Sequence, residues 1–378
     1  MKIALVHDYL TQRGGAERVF EMFCRQFPHA DIFTSVYDPE QTIELRQRLV
    51  NTTLLQGIPG AKRYFRLFAP LYFTAFRMLD LSEYDLIISS SSSFSKSVRK
   101  RPDARHICFC HNVTRFLWDT DTYLRGYQTF ENASGLLAPL FSYMRQLDIT
   151  YAEEPDLYVA NSTVVADRIS TVYGQPVITL NYPIDEKRFT FSAQKENFYL
   201  ASCRLLSYKR ADVIIEAFNR LGWPLIITGR GPERKRLEAM ASENIQFVGH
   251  VSDEERRRLF SKAKLVVVAA LEDYGLVPIE ANVSGTPAIT YGAGGVLDSQ
   301  VPGKTGLFFA EQTADSLCSA LLEAQSIDWN YRAIHQHAME NFSEAAFFDK
   351  VKRLIANQTA LDQPSQPAVD QIALHANA

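Results

Sequence analysis

The sequence has few cysteines and no arrangement of them that suggests a disulfide framework. Because their number is odd and they are dispersed, we expect the chain to reside in a reducing compartment. Cys108 and Cys110 alternate along one apolar stretch, and no second pair of ligands follows at metal-binding spacing. We therefore expect buried thiols there rather than a zinc site. The five cysteines are Cys24, Cys108, Cys110, Cys203 and Cys318.

Long apolar runs and a strong excess of one charge are also missing. No apolar stretch approaches the ~20 residues that a membrane-spanning helix needs. The formal net charge of −3 gives no overall attraction to nucleic acid. A strand pattern begins within the first few residues, so we expect no signal peptide before the fold. Together these absences predict a soluble, cytoplasmic protein without a nucleic-acid partner.

What the sequence does contain is an alternation of strand and helix patterns, over enough length for two domains. The chain has 378 residues, of which 46% are hydrophobic and 22% charged, as is usual for globular proteins. Short apolar runs separated by amphipathic helical patterns are typical of parallel sheets that helices cover on both faces. We predict a first domain at residues 1–183, a linker at 184–197, a second domain at 198–340, a closing helix at 341–358 and a disordered tail at 359–378.

Polar and glycine residues in the second half fall repeatedly where a predicted strand ends. Arg204 and Glu272 each follow a strand, and Lys209 opens the helix after Arg204. Because the carboxyl ends of parallel strands line one crevice, we expect these side chains to meet. Cations and helix N-termini suit a diphosphate, whereas carboxylates suit the hydroxyls of ribose and sugar. The pattern therefore favours a nucleotide-sugar pocket over a nicotinamide pocket. Glycine turns end two further strands, at residues 229–231 and 292–295.

A second carboxylate, Glu280, follows Glu272 eight residues later. Between them lie Gly275 and the start of a short helical pattern, and the loop begins at the end of an apolar run of strand length. Either carboxylate alone could be an ordinary surface residue of an acidic loop. Their position beside the predicted crevice favours a ligand-binding role for the pair.

In the first half, Gly14 and Gly15 lie between the first predicted strand and the first predicted helix. A glycine pair at this place lets backbone N–H groups approach an anion at the helix N-terminus. The spacing is not G-x-G-x-x-G, and no acidic residue follows the second strand in the dinucleotide pattern. Dinucleotide binding is therefore disfavoured.

Residues 61–80, which we call the basic aromatic segment, differ from the rest of this half. The segment is dense in aromatic residues and carries no acid before Asp80, and a second basic cluster follows at residues 96–105. Two interpretations stay open. The segment is either an element that lies on an anionic membrane surface, or a core-packing helix with a solvated basic face, kinked at Pro70. Its basic residues are Lys62, Arg63, Arg66 and Arg77.

Residues 272–280, with the sequence EDYGLVPIE, match the E-x7-E signature of the large retaining GT-B glycosyltransferase family that makes bacterial cell-surface polysaccharides. Further segments resemble the same family in the same order, so that the resemblance covers about 340 residues. The segment FCHNVTRFLWD, residues 109–119, is similar to the mannosyltransferase branch of that family. The other similar segments are HDYLTQRGGAERV, VANSTVVADRI, SCRLLSYKRADVIIEAF, ITGRGPERKRLE, VGHVSDEE and GGVLDSQVPGKTGLFF.

The resemblance implies a GT-B fold, in which two Rossmann-like domains with parallel sheets face each other across a cleft and a C-terminal helix crosses back to the N-terminal domain. By position, Arg204 and Lys209 would bind the diphosphate and compensate charge on the departing nucleoside diphosphate. Glu272 would hold the transferred sugar, and His111 would lie near the reacting carbon. Many relatives have a glutamate where this chain has Asp298, to which we assign no role. The implied donor-binding residues are Gly14, Gly15, Gly229, Gly231, Tyr274, Gly275, Leu276, Val277 and Glu280.

In function, the resemblance implies a retaining, metal-independent hexosyltransferase that needs no cofactor besides its donor, GDP-mannose or a UDP-sugar. The acceptor would be a glycan or a polyprenyl-linked glycan that the N-terminal domain binds at the inner face of the plasma membrane. Two alternatives stay open on the same architecture. One is a nucleotide-sugar epimerase, which releases its product without an acceptor, and the other is a non-catalytic sugar-nucleotide-binding module.

Overall fold

The computed structural model describes residues 1–45, 48–119 and 134–356, with the backbone alone for residues 134–137. The tail predicted to be disordered, residues 359–378, lies outside the described residues. Within them the chain forms two parallel β-sheets, one of seven strands and one of six. Helices connect most of the strands, and each sheet carries its own hydrophobic core. The predicted pair of parallel α/β sheets is confirmed.

The first sheet has the strand order β3-β2-β1-β4-β5-β6-β7, with every pair parallel. Its central strands are buried on both faces, which explains why they read as continuous apolar runs. The strands are β1 (Ile3–His7), β2 (Asp31–Thr34), β3 (Val50–Thr52), β4 (Leu86–Ser91), β5 (Arg105–Cys110), β6 (Leu157–Ala160) and β7 (Val177–Thr179). The helices among the described residues of this half are α1 (Gly15–Gln26), α2 (Ala61–Tyr64), α3 (Ala69–Arg77), α4 (Arg115–Trp118), α5 (Ser134–Tyr151) and α6 (Thr163–Tyr173).

The second sheet has the order β10-β9-β8-β11-β12-β13 and is also parallel throughout. Its strands are β8 (Tyr199–Ser202), β9 (Leu225–Thr228), β10 (Ile245–Gly249), β11 (Val266–Val268), β12 (Ala288–Tyr291) and β13 (Gly306–Phe309). The helices of this half are α7 (Ala211–Leu221), α8 (Arg234–Met240), α9 (Asp253–Lys262), α10 (Leu276–Val283), α11 (Ala314–Gln325), α12 (Tyr331–Phe342) and α13 (Glu344–Ala356).

The last helix, α13, leaves the second half and packs on the first. Its Phe347 and Phe348 contact Phe23 of α1 edge-on, with ring centroids 5.9 and 5.1 Å away. Arg25 of α1 donates to the carboxylate of Glu344 at 2.9 Å. The C-terminal helix therefore crosses back to the N-terminal domain, as the resemblance implied.

The basic aromatic segment is not one long kinked helix. It forms the short helix α2, a 3-10 turn at Phe65–Phe68 and then α3. Pro70 lies in the first turn of α3, where its missing N–H costs no helical hydrogen bond. The expected kink at Pro70 is therefore absent, because the chain starts a new helix there.

Most basic residues of the cluster at residues 96–105 form ion pairs or hydrogen bonds with other groups of the protein. Lys96 is buried, and its ammonium bonds the carboxylate of Asp148 at 2.6 Å. Lys100 bonds Asp156 at 2.8 Å. These contacts leave little free cationic surface in this cluster, where Arg99 is the exposed member, so residues 96–105 give the membrane interpretation little support. The other partners are Asp85 for Arg101 and the carbonyl oxygens of Leu354 and Ile355 for Arg105.

The sequence predicted neither disulfide bonds nor a membrane-spanning helix, and both expectations can be compared with the described residues. All five cysteines are free, and Cys108 and Cys110 are buried, as expected for structural thiols. In the part of the chain that the structure describes, no helix combines the length and the apolar character that crossing a bilayer requires.

Candidate active site

Both sheets have a switch point, where connections leave neighbouring strands in opposite directions. In the first sheet it lies between β1 and β4, and in the second between β8 and β11. Ligands of open α/β sheets bind outside the carboxyl ends of the strands at such points. The loops at these ends contact each other across the two halves, since Asn112 after β5 donates to Asp273 after β11 at 2.7 Å. Asn112 and Asp273 are the direct neighbours of His111 and Glu272, so these two predicted residues come from touching loops.

Arg204, Lys209 and Glu272 converge in the second half. The ammonium of Lys209 lies 2.7 Å from Oε1 of Glu272, and both side chains are largely buried. Arg204 is exposed and donates to the hydroxyl of Tyr208 at 3.0 Å. The ring of Tyr208 also lies 5.0 Å from the ammonium of Lys209. Two cations and one carboxylate therefore share the carboxyl edge of β8 and β11, as the strand-end pattern predicted.

Gly229 and Gly231 are required by packing against the loop that carries Arg204. A Cβ at Gly229 would lie 1.8 Å from the carbonyl oxygen of Cys203, and one at Gly231 would lie 2.1 Å from that of Leu205. The backbone N–H of Leu205 donates to the carbonyl of the residue between the two glycines at 2.9 Å. Both glycines let two backbone loops approach, and thereby fix the position of the arginine.

Gly275 begins the helix that carries Glu280. Its φ of 86° is in the left-handed region, and a Cβ there would lie 2.8 Å from a methyl of Val296. No side chain caps the N-terminus of α10, so its first N–H groups are open to an anion. A Cβ at Gly15 would lie 3.0 Å from a methyl of Leu276, its nearest neighbour across the cleft. Val277 is half-buried.

The side chain of Tyr274 does not take part in this site. It lies in the hydrophobic core of the first half, and its hydroxyl donates to the carbonyl oxygen of Tyr182. Burial raises the pKa of the Tyr274 hydroxyl well above its usual value. The Tyr274 side chain therefore belongs to the core of the first half, and contact of this residue with the donor through its backbone stays a prediction.

Glu280 lies in a pocket between the two halves. Its carboxylate is buried and pairs with Arg256 of α9. The pocket is also lined by Gly15, Arg18 and Arg188. A carboxylate at this place, next to the N-terminal turns of α1 and α10, can bind hydroxyl groups of a ligand whose anionic part lies at the helix ends.

The glycine pair in the first half is only partly available to a ligand. Gly14 donates its backbone N–H to Oε2 of Glu17 at 2.8 Å, so that group is already satisfied. Gly15 is the first residue of α1 and lines the pocket beside Glu280. Of the two glycines, Gly15 is therefore the one placed to approach a bound ligand.

His111 follows β5, and its ring contacts Ser90 and Tyr182 of the first half. Its Nε2 lies 2.8 Å from the hydroxyl oxygen of Ser90, and its ring meets that of Tyr182 edge-on at 5.1 Å. Burial lowers the pKa of His111 to about 4. The imidazole is thus neutral at pH 7 and can act on a ligand by hydrogen bonding rather than by positive charge.

Asp273 forms a contact between the two halves that the sequence analysis missed. Arg168 donates to its Oδ1 at 2.6 Å, and Arg115 and Asn112 donate to its Oδ2 at 3.1 and 2.7 Å. All three donors belong to the first half. The only sequence signal was the position of Asp273 between Glu272 and Gly275. We call this set of contacts the Asp273 clamp.

Asp298, to which no role was assigned, makes a second such contact. Its carboxylate accepts from the backbone N–H of Thr163 at 2.6 Å and from the Thr163 hydroxyl at 2.8 Å. Thr163 is the first residue of α6, where a carboxylate is favoured by the helix dipole. The aspartate therefore binds the N-terminal domain rather than lining the pocket.

Among the described residues, no group of three or more histidine, cysteine, aspartate or glutamate side chains is arranged to hold a metal ion. Asp119 and Asp121 stand at Asp-x-Asp spacing, but Asp121 lies outside the described residues.

Two family models match consecutive parts of the chain. Residues 13–188 match "Glycosyltransferase Family 4" and residues 183–357 match "Glycosyl transferases group 1". Among curated proteins, the chain is similar to glycogen synthase of Mycobacterium tuberculosis, with 28% identity over 188 residues, 44% of this chain and 45% of that protein. It is also similar to O-antigen chain mannosyltransferase C of Escherichia coli, with 22% identity over 264 residues, 64% of each chain. The chain spans about half the length of the curated relatives it matches first.

Solved structures of similar fold cover almost the whole chain. Sucrose-phosphate synthase of Thermosynechococcus elongatus superposes with a TM-score of 0.70 and 19% identity, covering 94% of this chain and 98% of that one. Anabaena HepE in complex with UDP gives a TM-score of 0.68 and 16% identity, covering 94% of this chain and 100% of that one. At such low identity these likenesses show the fold alone.

Proposed function

We propose that this chain, which belongs to the GT-B-type glycosyltransferases, is a retaining, metal-independent hexosyltransferase. It moves a sugar from a nucleotide-sugar donor to a glycan or lipid-linked glycan acceptor in cell-surface polysaccharide synthesis. The observation that carries the proposal is the meeting of Arg204, Lys209 and Glu272 at the carboxyl edge of the second sheet, opposite His111.

The two cations act on the leaving group. When the bond between C1 of the sugar and the β-phosphate oxygen breaks, the sugar becomes oxocarbenium-like and the phosphate gains negative charge. Arg204 and Lys209, with the open N-terminus of α10, take up that charge without reorganising. Because an ammonium and a guanidinium are already fixed there, the step needs no divalent ion.

Retention of configuration is implied by the family resemblance, and the partners of the two carboxylates bear on how it would be achieved. Glu272 is paired with Lys209, and Asp273 accepts three hydrogen bonds from the other half. In the proposed donor complex Glu272 binds sugar hydroxyls and Asp273 keeps its partners, so neither acts as the covalent nucleophile of a retaining hydrolase. The acceptor oxygen therefore attacks C1 on the face from which the phosphate leaves, and its proton passes to the departing phosphate oxygen.

Glu272 and His111 hold the transferred sugar. Glu272 is a hydrogen-bond acceptor for sugar hydroxyls once a donor phosphate competes for its lysine. His111 is neutral, so it orients a hydroxyl without adding positive charge next to the developing oxocarbenium ion. Glu280, the fifth residue of α10, is placed to bind the ribose hydroxyls.

The donor that we favour is GDP-mannose. It is supported by the segment at residues 109–119 and by the similarity to the Escherichia coli mannosyltransferase. A D-rhamnosyltransferase of Pseudomonas aeruginosa is also similar, with 25% identity over 191 residues. A UDP-sugar is the second candidate, because structures of the similarly folded HepE contain UDP and UDP-glucose.

The basic aromatic segment is the part of the chain that we propose to contact an anionic membrane. Its Tyr64, Leu67 and Leu71 are exposed by 51%, 69% and 49%. The basic residues that accompany them on this surface, also exposed, are Lys62, Arg63 and Arg66. Apolar side chains flanked by basic ones suit the interface of an anionic bilayer. Arg77 is not part of this surface, because it pairs with Glu154.

A donor panel tests the proposed function. Purified protein is incubated separately with radiolabelled GDP-mannose, UDP-glucose and UDP-N-acetylglucosamine, and the products are separated. Slow release of free hexose and nucleoside diphosphate from one donor is the expected result. Interconversion of sugars still attached to the nucleotide would favour the epimerase, and binding without turnover would favour the non-catalytic module.

A further inference from the structure

A chain of buried polar side chains runs behind His111 into the first half. The hydroxyl oxygen of Ser90 lies 2.8 Å from Nε2 of His111 and 3.1 Å from Nδ1 of His7. On the far side of His7, its Nε2 lies 3.9 Å from Oε1 of Glu17. Ser90, His7 and Glu17 are each no more than 2% exposed. One buried serine therefore joins two imidazoles.

The number of protons that Ser90 can donate determines which tautomers of His7 and His111 fit together. A serine hydroxyl has one proton, so Ser90 can donate to one imidazole nitrogen and must accept from the other. Glu17 lies 3.9 Å from Nε2 of His7, beyond hydrogen-bond distance, and its negative charge favours the neutral His7 tautomer with the proton on Nε2. Nδ1 of His7 is then an acceptor, and Ser90 donates to it. Ser90 consequently accepts from His111, whose proton sits on Nε2.

The charge of the Glu17 carboxylate supports this direction of the hydrogen bonds. Burial raises the pKa of Glu17, but the neighbouring His7 and Gln12 outweigh burial and leave the pKa below its usual value. Gln12 donates to Oε1 of Glu17 at 2.9 Å and Gly14 to its Oε2 at 2.8 Å. A carboxylate with these donors is ionised at pH 7 and stays an acceptor.

We propose that Ser90 is a positioning residue that fixes His111 with its proton on Nε2 and its ring edge against β4. Nδ1 of His111 is then the nitrogen left to accept a hydrogen bond from a sugar hydroxyl in the cleft. The inference rests on the proposed function, because it assigns a partner to His111 in the sugar transfer. It adds a residue, Ser90, that does not itself touch the substrate, and a defined direction for the hydrogen bonds behind it.

The neighbouring strand position provides a matched control. Ser89 precedes Ser90 on β4 and is equally buried, and its hydroxyl oxygen lies 2.7 Å from Nε2 of His106. Because successive strand residues point to opposite faces, this second serine–histidine pair faces away from His111. Ser89→Ala therefore removes a buried hydrogen bond of the same kind without touching the proposed chain.

The first measurement is the tautomer of His111 in the wild-type protein. Long-range 1H–15N correlation spectra of histidine-labelled protein distinguish the Nε2–H and Nδ1–H forms, and the His111 signal is identified by its loss in His111→Gln. We expect Nε2–H for His111 at pH 7. In Ser90→Ala we expect the pattern to change to a mixture, and in Ser89→Ala we expect no change at His111. An Nδ1–H form in the wild type would overturn the proposal.

The second measurement is donor turnover by the same variants. Loss of one orienting hydrogen bond is expected to lower kcat by about tenfold in Ser90→Ala with KM for the donor nearly unchanged, and to leave both constants nearly unchanged in Ser89→Ala. Ser90→Cys, which keeps a weak donor of similar size, should recover part of the rate. If kcat in Ser90→Ala equals that of Ser89→Ala, Ser90 has only a structural role.

The two measurements separate the inference from the function on which it rests. If no nucleotide sugar is turned over by the wild-type protein, the proposed function fails, and the spectra still decide whether Ser90 fixes the tautomer. If turnover is present and the tautomer is independent of Ser90, the proposed function stands and the inference fails.

Discussion

Lys209 and Glu272 neutralise each other at the edge of two neighbouring strands, with the ammonium 2.7 Å from the carboxylate oxygen. Both side chains are mostly buried, so the pair would be costly to break without replacing its charges. A donor diphosphate supplies a new partner for the lysine, and the sugar hydroxyls supply new donors for the glutamate. The pair therefore keeps both groups in position before the donor arrives.

Substitution of the two partners should separate nucleotide binding from sugar binding. In Lys209→Ala, affinity for the nucleoside diphosphate alone should fall by about ten- to hundredfold, because one charge-assisted hydrogen bond is lost. In Glu272→Gln that affinity should be unchanged or higher, since the lysine is released, while turnover of the full donor falls strongly. Titration calorimetry with GDP and UDP measures the affinities. Equal losses of affinity in both variants would contradict these roles.

Gly231→Ala should displace the loop that carries Arg204. The added methyl would lie 2.1 Å from a backbone oxygen of Leu205, so the two loops must move apart. We expect a loss of stability of about 1–3 kcal/mol and a clear fall in turnover. Gly57→Ala is the control, because a Cβ there meets nothing within 4 Å and its φ is not in the left-handed region. Unfolding in urea and donor hydrolysis are the measurements. Normal turnover in Gly231→Ala would show that the close approach is dispensable.

The Asp273 clamp should hold the two halves together. Asp273→Ala leaves Arg115 and Arg168 without this partner, and we expect the cleft to open and turnover to fall by about tenfold, with the helix content unchanged. Small-angle scattering should give a larger radius of gyration. Asp315→Ala, which removes an exposed partner of Arg220, should change neither quantity. An unchanged radius in Asp273→Ala would argue that other contacts hold the cleft.

Membrane contact by the basic aromatic segment can be tested with vesicles. Replacing Lys62, Arg63 and Arg66 by alanine should weaken co-sedimentation with phosphatidylglycerol vesicles by about a hundredfold, at about 1 kcal/mol for each basic residue. Wild-type protein should bind neutral phosphatidylcholine vesicles weakly. Three exposed basic residues of α13, Lys350, Lys352 and Arg353, form the matched control set. Equal binding by both triple variants would exclude this surface as the contact.

The strand-end residues could be predicted because their placement follows from local patterns. Apolar runs of strand length mark the buried strands, and the residue after each run must lie at the carboxyl edge of a parallel sheet. Arg204 and Glu272 are found there for that reason. The strands β3 and β7 escaped prediction because each has three residues, none of them fully buried, which is too short for a period to show.

Contacts between the halves could not be predicted in this way. Asp273 meets Asn112 and Arg168 across 161 and 105 residues, so their meeting depends on how the two sheets face each other. The side chain of Tyr274 turns into the core of the first half for the same reason, although its neighbours in sequence face the cleft. Likewise, Lys96 looked like one charge of a basic cluster, but its partner Asp148 is 52 residues away on α5.

The central claim is tested most directly by the rate at which Arg204→Ala releases nucleoside diphosphate. The rate is compared with that of the wild-type protein, with the donor that the wild type prefers. Arg204 is exposed and its side chain donates to a single tyrosine hydroxyl, so its removal should leave the melting temperature nearly unchanged. Arg220→Ala, at the far end of α7, is the control. The account predicts a fall in rate of about a hundredfold or more, the usual cost of losing one group that stabilises developing charge. A rate near that of the wild type in a folded Arg204→Ala protein would contradict it.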